Sequence, residues 1–252
     1  MIRLAIRVRA DRAEMALADL LPVLSAGAEE RALDDCVEYA LYGLPGELPG
    51  GDEIRALAGD AVLDVRTEPV PEGWERRWHA YLRPVRVGSL VVRPPWIDGA
   101  DDDLVIDPGT YFGAGTHATT RLCLELLQTC EPGGPLCDWG AGTGVLAVAA
   151  ARLGWSPVTA VELEEGVIRA NAERNGVDVA VVAGDLRDEA PWAPTIVANL
   201  PRPLLEQLAP ARPARFVLSG FLADEADEIV AAFGLREERR LEADGWAAVV
   251  LA

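Results

Sequence analysis

Apolar and polar residues alternate one by one at the start of the chain. Over residues 2–9 this period of two predicts a half-buried strand, and from about Ala13 to Leu24 the spacing becomes that of an amphipathic helix. Two strands, a helix and a last strand follow, around 28–33, 36–42, 52–58 and 61–67. The order β-α-β-β-α-β predicts a small ferredoxin-like α+β domain over residues 1–69.

Prolines and aromatic residues mark the next segment, residues 70–102, which we predict to be a connector. Within it, Trp74, Trp78 and Tyr81 recur at helical spacing and predict a helix over 73–82 with one aromatic face. Packing between domains explains such a face better than contact with a substrate does.

From about residue 103, apolar runs of strand length alternate with amphipathic helices. Strands are predicted at 135–137, 158–161, 179–182, 195–198 and 216–219, and this alternation favours a mostly parallel sheet. The last two strands, 236–241 and 247–251, flank Ala243-Asp244-Gly245, which is a hairpin-turn signal. We therefore predict the seven-stranded, Rossmann-like methyltransferase fold, with its terminal antiparallel hairpin, for residues 103–252.

The amino-acid composition limits the cellular location and the binding partners that we expect for this protein. The 252 residues carry a net charge of −18, and all 23 basic residues are arginine. Such an acidic surface repels nucleic-acid phosphates and attracts basic partners, so we expect no direct nucleic-acid binding. We find no apolar run of membrane-spanning length and no secretion signal, which favours a cytoplasmic protein without a membrane partner. The four cysteines form no C-x-x-C pair, so we expect core thiols and no metal site.

The stretch from Asp138 to Gly144 carries the strongest chemical signal. It reads D-x-G-x-G-x-G between a predicted strand and a predicted helix, whereas the dinucleotide fingerprint is G-x-G-x-x-G. Gly140, Gly142 and Gly144 allow the backbone to approach a ligand closely. The compressed spacing favours S-adenosylmethionine (SAM) over a nicotinamide dinucleotide. Asp138 can either brace the turn or accept a hydrogen bond from the ligand's amino group.

Three more polar residues stand at or just after the ends of predicted parallel strands, where open α/β sheets bind ligands. Glu162 can hold both ribose hydroxyls, in SAM or in a nicotinamide dinucleotide alike. Asp185 can accept the exocyclic amine of adenine, although Gly-Asp is also an ordinary turn. The carboxamide of Asn199 can accept a hydrogen bond from an incoming amine and aim its lone pair at a methyl group.

The residues after Asn199 bear on the methyl acceptor. Methyltransferases of exocyclic or glutamine amides use N/D-P-P-aromatic here, and this chain has Leu200, Pro201 and Arg202 instead. The missing aromatic ring argues against a planar acceptor.

The loop over 107–120 contains Gly113 and Gly115, which predict a mobile lid. Thr119 or Thr120 can cap the following helix, and we interpret His117 as structural rather than catalytic.

Together these motifs resemble the PrmA family, bacterial methyltransferases of ribosomal large-subunit protein eleven. The likeness lies in G-W-E-R-R-W at 73–78, F-G-A-G-T-H-A-T-T at 112–120, residues 138–150, and V-A-N-L at 197–200. It implies SAM contacts from Thr120, Gly140, Glu162 and Asn199. It also implies that the N-terminal domain recognises the protein substrate, whose lysine side chains and N-terminal amine accept the methyl groups. Family members usually carry Cys, Thr or Ser at Ala141 and Asp at Glu162, and the stretch after Asn199 differs more.

The sequence therefore predicts a SAM-dependent protein N-methyltransferase that acts on amines of a basic ribosomal protein, with Asn199 as its catalytic residue. The alternative is a SAM-dependent methyltransferase of another protein, a small molecule or RNA. A nicotinamide-dependent oxidoreductase and a binding module without catalysis are the rivals from other classes.

Overall fold

The computed structural model describes residues 2–24, 28–33, 35–43, 48–69, 82–109, 115–163, 165–209 and 214–252. The chain forms two compact units, Met1–Ala80 and Tyr81–Ala252. Residues 82–102, predicted as part of a connector, belong to the second unit. The aromatic helix predicted over 73–82 falls almost entirely outside the described residues.

The first unit is a four-stranded antiparallel sheet with two helices. Its elements are β1 (Ile2–Arg9), α1 (Ala13–Leu24), β2 (Glu29–Ala32), β3 (Cys36–Gly43), α2 (Gly51–Ala58) and β4 (Val62–Pro69). The strands lie in the order β2-β3-β1-β4. Alternate residues of β1 (Leu4, Ile6 and Val8) are buried in one apolar cluster with residues of both helices. The predicted order of elements is confirmed, and the bounds agree to within about two residues.

Polar side chains on β1 and β3 form a second, charged cluster. Glu38 is buried, and its carboxylate accepts hydrogen bonds from Arg3 (2.5 Å) and Arg7 (2.7 Å). The hydrogen bond from Arg3 is the main reason why the pKa of Glu38 is lowered. A buried carboxylate between two guanidinium groups is thus kept ionised, which offsets the cost of its burial.

A small three-stranded sheet opens the second unit. Strands β5 (Val85–Val87) and β6 (Leu90–Arg93) form a hairpin around Gly88, whose φ is +57°, and β7 (Leu104–Val105) pairs with β6 in parallel. The sequence prediction missed these strands. The sequence does contain a hairpin pattern, because short, mainly apolar runs flank a two-residue Gly-Ser turn.

The main sheet of the second unit has seven strands within the described residues. Its helices are α3 (Ala118–Leu127), α4 (Val145–Leu153), α5 (Gly166–Arg174), α6 (Arg202–Leu208) and α7 (Ala226–Phe233). Its strands are β8 (Leu136–Trp139), β9 (Val158–Glu162), β10 (Ala180–Ala183), β11 (Thr195–Asn199), β12 (Arg215–Leu222), β13 (Glu237–Ala243) and β14 (Trp246–Leu251).

The strand order is β10-β9-β8-β11-β12-β14-β13. All pairs from β10 to β12 are parallel, and β14 is antiparallel to both of its neighbours. The predicted mixed α/β fold with a mostly parallel sheet is confirmed. The chain runs outward from β8 to β10, then returns to place β11 on the other side of β8. Such a reversal opens a crevice above neighbouring strand ends.

Apolar residues are buried in two clusters of the second unit, and successive residues of one strand join different clusters. Val197 of β11 packs with α3 and α4, whereas Ile196 and Ala198 pack with α6 and α7. A strand buried on both faces needs a continuous apolar run, and this explains the sequence T-I-V-A-N.

The described residues contain no helix long and apolar enough to cross a membrane, and no group of side chains suited to a metal ion. All four cysteines are free thiols. Cys123 and Cys137 are buried as expected, whereas Cys36 and Cys130 are only half-buried.

Candidate active site

The predicted site residues follow strands that are neighbours in the main sheet. Gly140 follows β8, Glu162 ends β9, and Asn199 ends β11, with β8 between the other two strands. Asp185 lies two residues beyond β10, the edge strand next to β9. The sheet therefore brings these side chains to one edge, at the point where the chain direction across the sheet reverses.

The three glycines after β8 all have left-handed backbone conformations. The φ angles are +69° at Gly140, +54° at Gly142 and +78° at Gly144, which is the N-cap of α4. Only glycine adopts such angles without strain, so the turn requires this residue at each of the three positions. The amides of Gly140 and Ala141 both donate to Val161 O at 3.0 Å, which anchors the turn to β9.

Glu162 binds the same turn through its side chain. Oε2 accepts a hydrogen bond from Gly142 N at 2.8 Å, and Oε1 accepts one from Leu163 N at 2.9 Å. A carboxylate can accept more than one hydrogen bond at each oxygen. The geometry thus shows a bracing role, and the predicted contact with ribose hydroxyls stays a prediction.

Asp138 lies beneath the turn, with a relative exposure of 1%. Its Oδ2 accepts a hydrogen bond from Ala147 N at 3.0 Å, while Oδ1 has no partner among the described residues. Burial raises the pKa of Asp138 to about 7. Of the two roles predicted for this residue, bracing is therefore the one visible in the structure, and contact with a ligand stays a prediction.

Asn199 is half-buried and faces the first turn of α3. Its Nδ2 donates to Thr120 Oγ1 at 3.4 Å, and Thr120 is buried. No residue in the described parts of the chain donates a hydrogen bond to Asn199 Oδ1. The amide is thus oriented by Thr120 and keeps an acceptor oxygen available for another group.

Asp185 is engaged in a local turn. Its carboxylate accepts hydrogen bonds from the backbone N of Arg187 at 2.9 Å and from the guanidinium of Arg187 at 2.6 Å. The side-chain hydrogen bond is the main reason why the pKa of Asp185 is lowered to about 2. The predicted contact with adenine stays a prediction, and in this structure the ordinary turn is what is seen.

His117, rather than Thr119 or Thr120, begins α3 as its N-cap. The His117 Nδ1 accepts a hydrogen bond from Thr119 N at 3.4 Å and lies 2.8 Å from Thr119 Oγ1. Its ring packs edge-on against Trp246, with 5.2 Å between ring centroids, and burial lowers its pKa. These contacts agree with the structural interpretation of this histidine.

Gly113 of the predicted lid lies outside the described residues.

Two asparagines at the C-terminal end of α5 were missed by the sequence prediction. Asn171 is completely buried; its Nδ2 donates to Thr143 O and Asp107 O, and its Oδ1 accepts from Asp107 N, each at 2.9 Å. Asn175 makes the matching pair with Val105, accepting from N at 2.9 Å and donating to O at 2.8 Å. Asn171 therefore joins the glycine turn to the segment that leads into the loop over 107–120.

Known proteins share both the sequence and the fold. A family model described as ribosomal protein L11 methyltransferase (PrmA) matches residues 56–252. The chain belongs to this family. The ribosomal protein L11 methyltransferase of Pelotomaculum thermopropionicum is 43% identical over 82% of this chain and 79% of its own length. That of Symbiobacterium thermophilum is 38% identical, over 80% of this chain and 73% of its own.

A solved structure agrees at the level of the fold. The ribosomal protein L11 methylase of Lactobacillus delbrueckii subsp. bulgaricus superimposes with a TM-score of 0.61, at 23% identity, over 68% of this chain and 98% of that one. Membership of the PrmA family makes this chain a SAM-dependent methyltransferase, which confirms the predicted family, enzyme class and cofactor.

Proposed function

We propose that this chain transfers methyl groups from SAM to amines of ribosomal protein L11, namely lysine side chains and the N-terminal amine. The observation that carries the proposal is the placement of Asn199. Its amide ends β11 beside the glycine turn, is oriented by Thr120, and keeps an acceptor oxygen. This is the arrangement that an incoming amine requires.

The residues at the strand ends fit SAM. The glycine turn offers three positions without side chains, and Glu162 on the neighbouring strand offers a carboxylate for ribose hydroxyls. We assign the adenine contact to Asp185 and further contacts to Thr120 and Asn199. When bound, SAM supplies a methyl group on a positively charged sulfur.

The chain's own residues then have to present a neutral amine. A free lysine has a pKa near ~10.4, so the neutral form costs about 4 kcal/mol near physiological pH. Desolvation of the amine in the crevice offsets part of this cost. Asn199 Oδ1 accepts a hydrogen bond from the amine and directs its lone pair, and catalysis then rests mainly on positioning.

The candidate bases fit this view. His117 caps α3 through Nδ1, and the carboxylate of Asp138 is buried and faces α4. Both groups are thus engaged in holding a helix, His117 at the start of α3 and Asp138 at α4. We therefore assign no general base to the reaction.

Arg202 supports an aliphatic acceptor. It occupies the position where methyltransferases of planar groups carry an aromatic ring. Its guanidinium donates to Glu206 at 2.7 Å and to Glu225 at 3.4 Å, and it also pairs with Glu228. A side chain engaged by three carboxylates is not available for stacking on a base, which favours a protein amine over RNA.

We assign the substrate-recognition role to residues 1–69, which lie within the first unit, and classify them as ferredoxin-like on the strand order β2-β3-β1-β4. The main sheet, with its terminal hairpin, we classify as the seven-stranded Rossmann-like methyltransferase type. The net charge of −18 favours a basic substrate, so binding should weaken as salt rises.

The test uses the full chain with labelled SAM and purified L11. Because the chain contains no lysine, any methylated lysine must come from the substrate. We expect label on lysines and the N-terminus of L11, and none on ribosomal RNA. Label on RNA or on a small molecule instead of L11 would favour the alternative substrates.

A substitution tests the assigned residue. Asn199→Ala should lower kcat by about 100-fold, because the amine loses its orienting acceptor, while the Kd for S-adenosylhomocysteine changes much less. Gln207→Ala, which removes an exposed amide on α6, is the matched control and should keep wild-type turnover. Wild-type kcat in Asn199→Ala would refute the role of this residue.

A further inference from the structure

Gly220 lies inside β12, where the pairing with β14 shifts register between Ser219 and Phe221. Its φ is +101°. A Cβ at this position would lie 2.6 Å from Leu200 C and 2.8 Å from Leu200 N, and closer still to Leu200 O. These are backbone atoms, so no change of rotamer can relieve the overlap. The absence of a side chain at Gly220 thus leaves the space that the Leu200 peptide fills.

Leu200 is fixed from two other directions as well. Its N–H donates to Ser219 O at 3.0 Å, and the buried Ser219 donates from Oγ to Ala247 O at 2.7 Å. The Leu200 side chain is buried against the glycine turn, since a Cβ on Gly140 would overlap Cδ2 and lie 3.4 Å from Cγ. Leu200 therefore sits with its peptide against Gly220 and its side chain against Gly140.

This packing bears on Asn199, the residue immediately before Leu200. The single hydrogen bond from Asn199 to Thr120 is long, at 3.4 Å, and fixes only one end of the amide. We propose that Gly220 is a positioning residue, which seats the Leu200 peptide and so holds Asn199 at a set distance from the glycine turn. The inference rests on the role of Asn199 in the proposed function.

The first experiment compares two glycine substitutions in the full-length enzyme. Gly234 also has a positive φ, +63°, but a Cβ there meets nothing within 4 Å. Gly234→Ala therefore carries backbone strain without displacing a neighbour, and it is the matched control for Gly220→Ala. We expect kcat on L11 to fall by about 100-fold more in Gly220→Ala than in the control, because a displacement of about 1 Å is that costly.

The Kd for S-adenosylhomocysteine separates positioning from a general defect. We expect the Kd of Gly220→Ala to stay within about three-fold of the control while kcat, divided by the number of S-adenosylhomocysteine sites counted in the same titration, falls. Loss of folded protein would lower the number of sites and leave kcat per site unchanged. Equal kcat values in the two variants would overturn the proposal. So would a loss of S-adenosylhomocysteine affinity as large as the loss of kcat.

A second test keeps the proposal falsifiable if Gly220→Ala fails to fold. Gly140→Ala forces a methyl group against the Leu200 side chain, and Leu200→Ala removes the atoms it would meet. In the double variant we expect part of the S-adenosylhomocysteine affinity lost in Gly140→Ala to return. Strictly additive losses would show that Leu200 is not seated against the turn. A wild-type enzyme inactive on L11 would instead refute the proposed function. The S-adenosylhomocysteine affinities of the Gly140 and Leu200 variants would still show whether the Leu200 side chain packs against the turn.

Discussion

The glycine turn after β8 and the Asn199–Leu200 segment after β11 lie at neighbouring strand ends, but different interactions hold them. Directional hydrogen bonds fix the turn, one donated by Gly142 N to the Glu162 carboxylate and one donated by the Asn171 amide to Thr143 O. The segment after β11 is held by close packing against two glycines and by the hydrogen bond from Leu200 N to Ser219 O, whereas the Asn199 amide has only one long hydrogen bond, to Thr120. The proposed cofactor half of the site is thus held by more hydrogen bonds than the proposed acceptor half.

Because different interactions hold them, the glycine turn and the Asn199–Leu200 segment should respond differently to substitution. Removing a hydrogen-bonding group from the turn leaves buried polar atoms without partners, which costs stability. We expect added volume near Leu200 to move the proposed acceptor amide and so to lower turnover. Three substitutions test this division.

The largest expected effect on stability is at Asn171. Asn171→Ala leaves Asp107 N, Asp107 O and Thr143 O without their partner, so we expect the free energy of unfolding to fall by about 3 kcal/mol. Urea denaturation measures it. Glu173→Ala, at an exposed position of the same helix, is the control, with a change below about 0.5 kcal/mol. Similar values for the two variants would mean that the turn does not depend on these bonds.

The next effect concerns pH and the buried Asp138. Its folded pKa of about 7 lies above the ordinary value of 3.8, so between these values the folded state holds the proton more tightly than the unfolded state. The free energy of unfolding should therefore fall as the pH rises from about 4 to about 7, and this contribution should be constant above that range. Asp138→Asn removes the ionisation and should flatten this slope, so that the variant is more stable than the wild type at pH 8. The free energy of unfolding of both proteins is measured by urea denaturation at a series of pH values. The same dependence on pH in both would contradict the raised pKa of Asp138.

The smallest effect is expected at the hydrogen bond between Asn199 and Thr120. Thr120→Val keeps the shape but removes Oγ1, so kcat on L11 should fall by about five-fold, in line with the loss of about 1 kcal/mol for one hydrogen bond. Thr119→Val is the matched control, because that hydroxyl contacts His117 instead. If the two valine variants show equal kcat, then Thr120 does not orient the amide.

Much of the fold could be predicted because its signals are local. The strands and helices of both units follow from apolar spacing, and the three left-handed glycines follow from the motif itself. The hairpin of β5 and β6 was also local, but the prolines around it favoured a connector over a hairpin.

Other features depend on residues far apart in sequence. Asn171 meets Asp107 across 64 positions, and Gly220 meets Leu200 only because β11 and β12 are neighbours. Neither contact leaves a pattern within one segment. The candidate site residues were predicted by the rule that parallel strands end at one edge, whereas the bonds that orient them required the packed structure.

The two asparagines of α5 have a consequence beyond the site. Ile106 N bonds to Arg93 O on β6, so the free edge of this small sheet carries the polar groups of Val105 and Asp107. Asn175 and Asn171 bind the N–H and C=O of both residues. An open strand edge recruits other chains, and proteins usually protect it with charges or a bulge. Here a helix does so with amide side chains, and Asn171, which also bonds to the glycine turn, occupies the N–H and C=O of Asp107 that another strand would need for pairing.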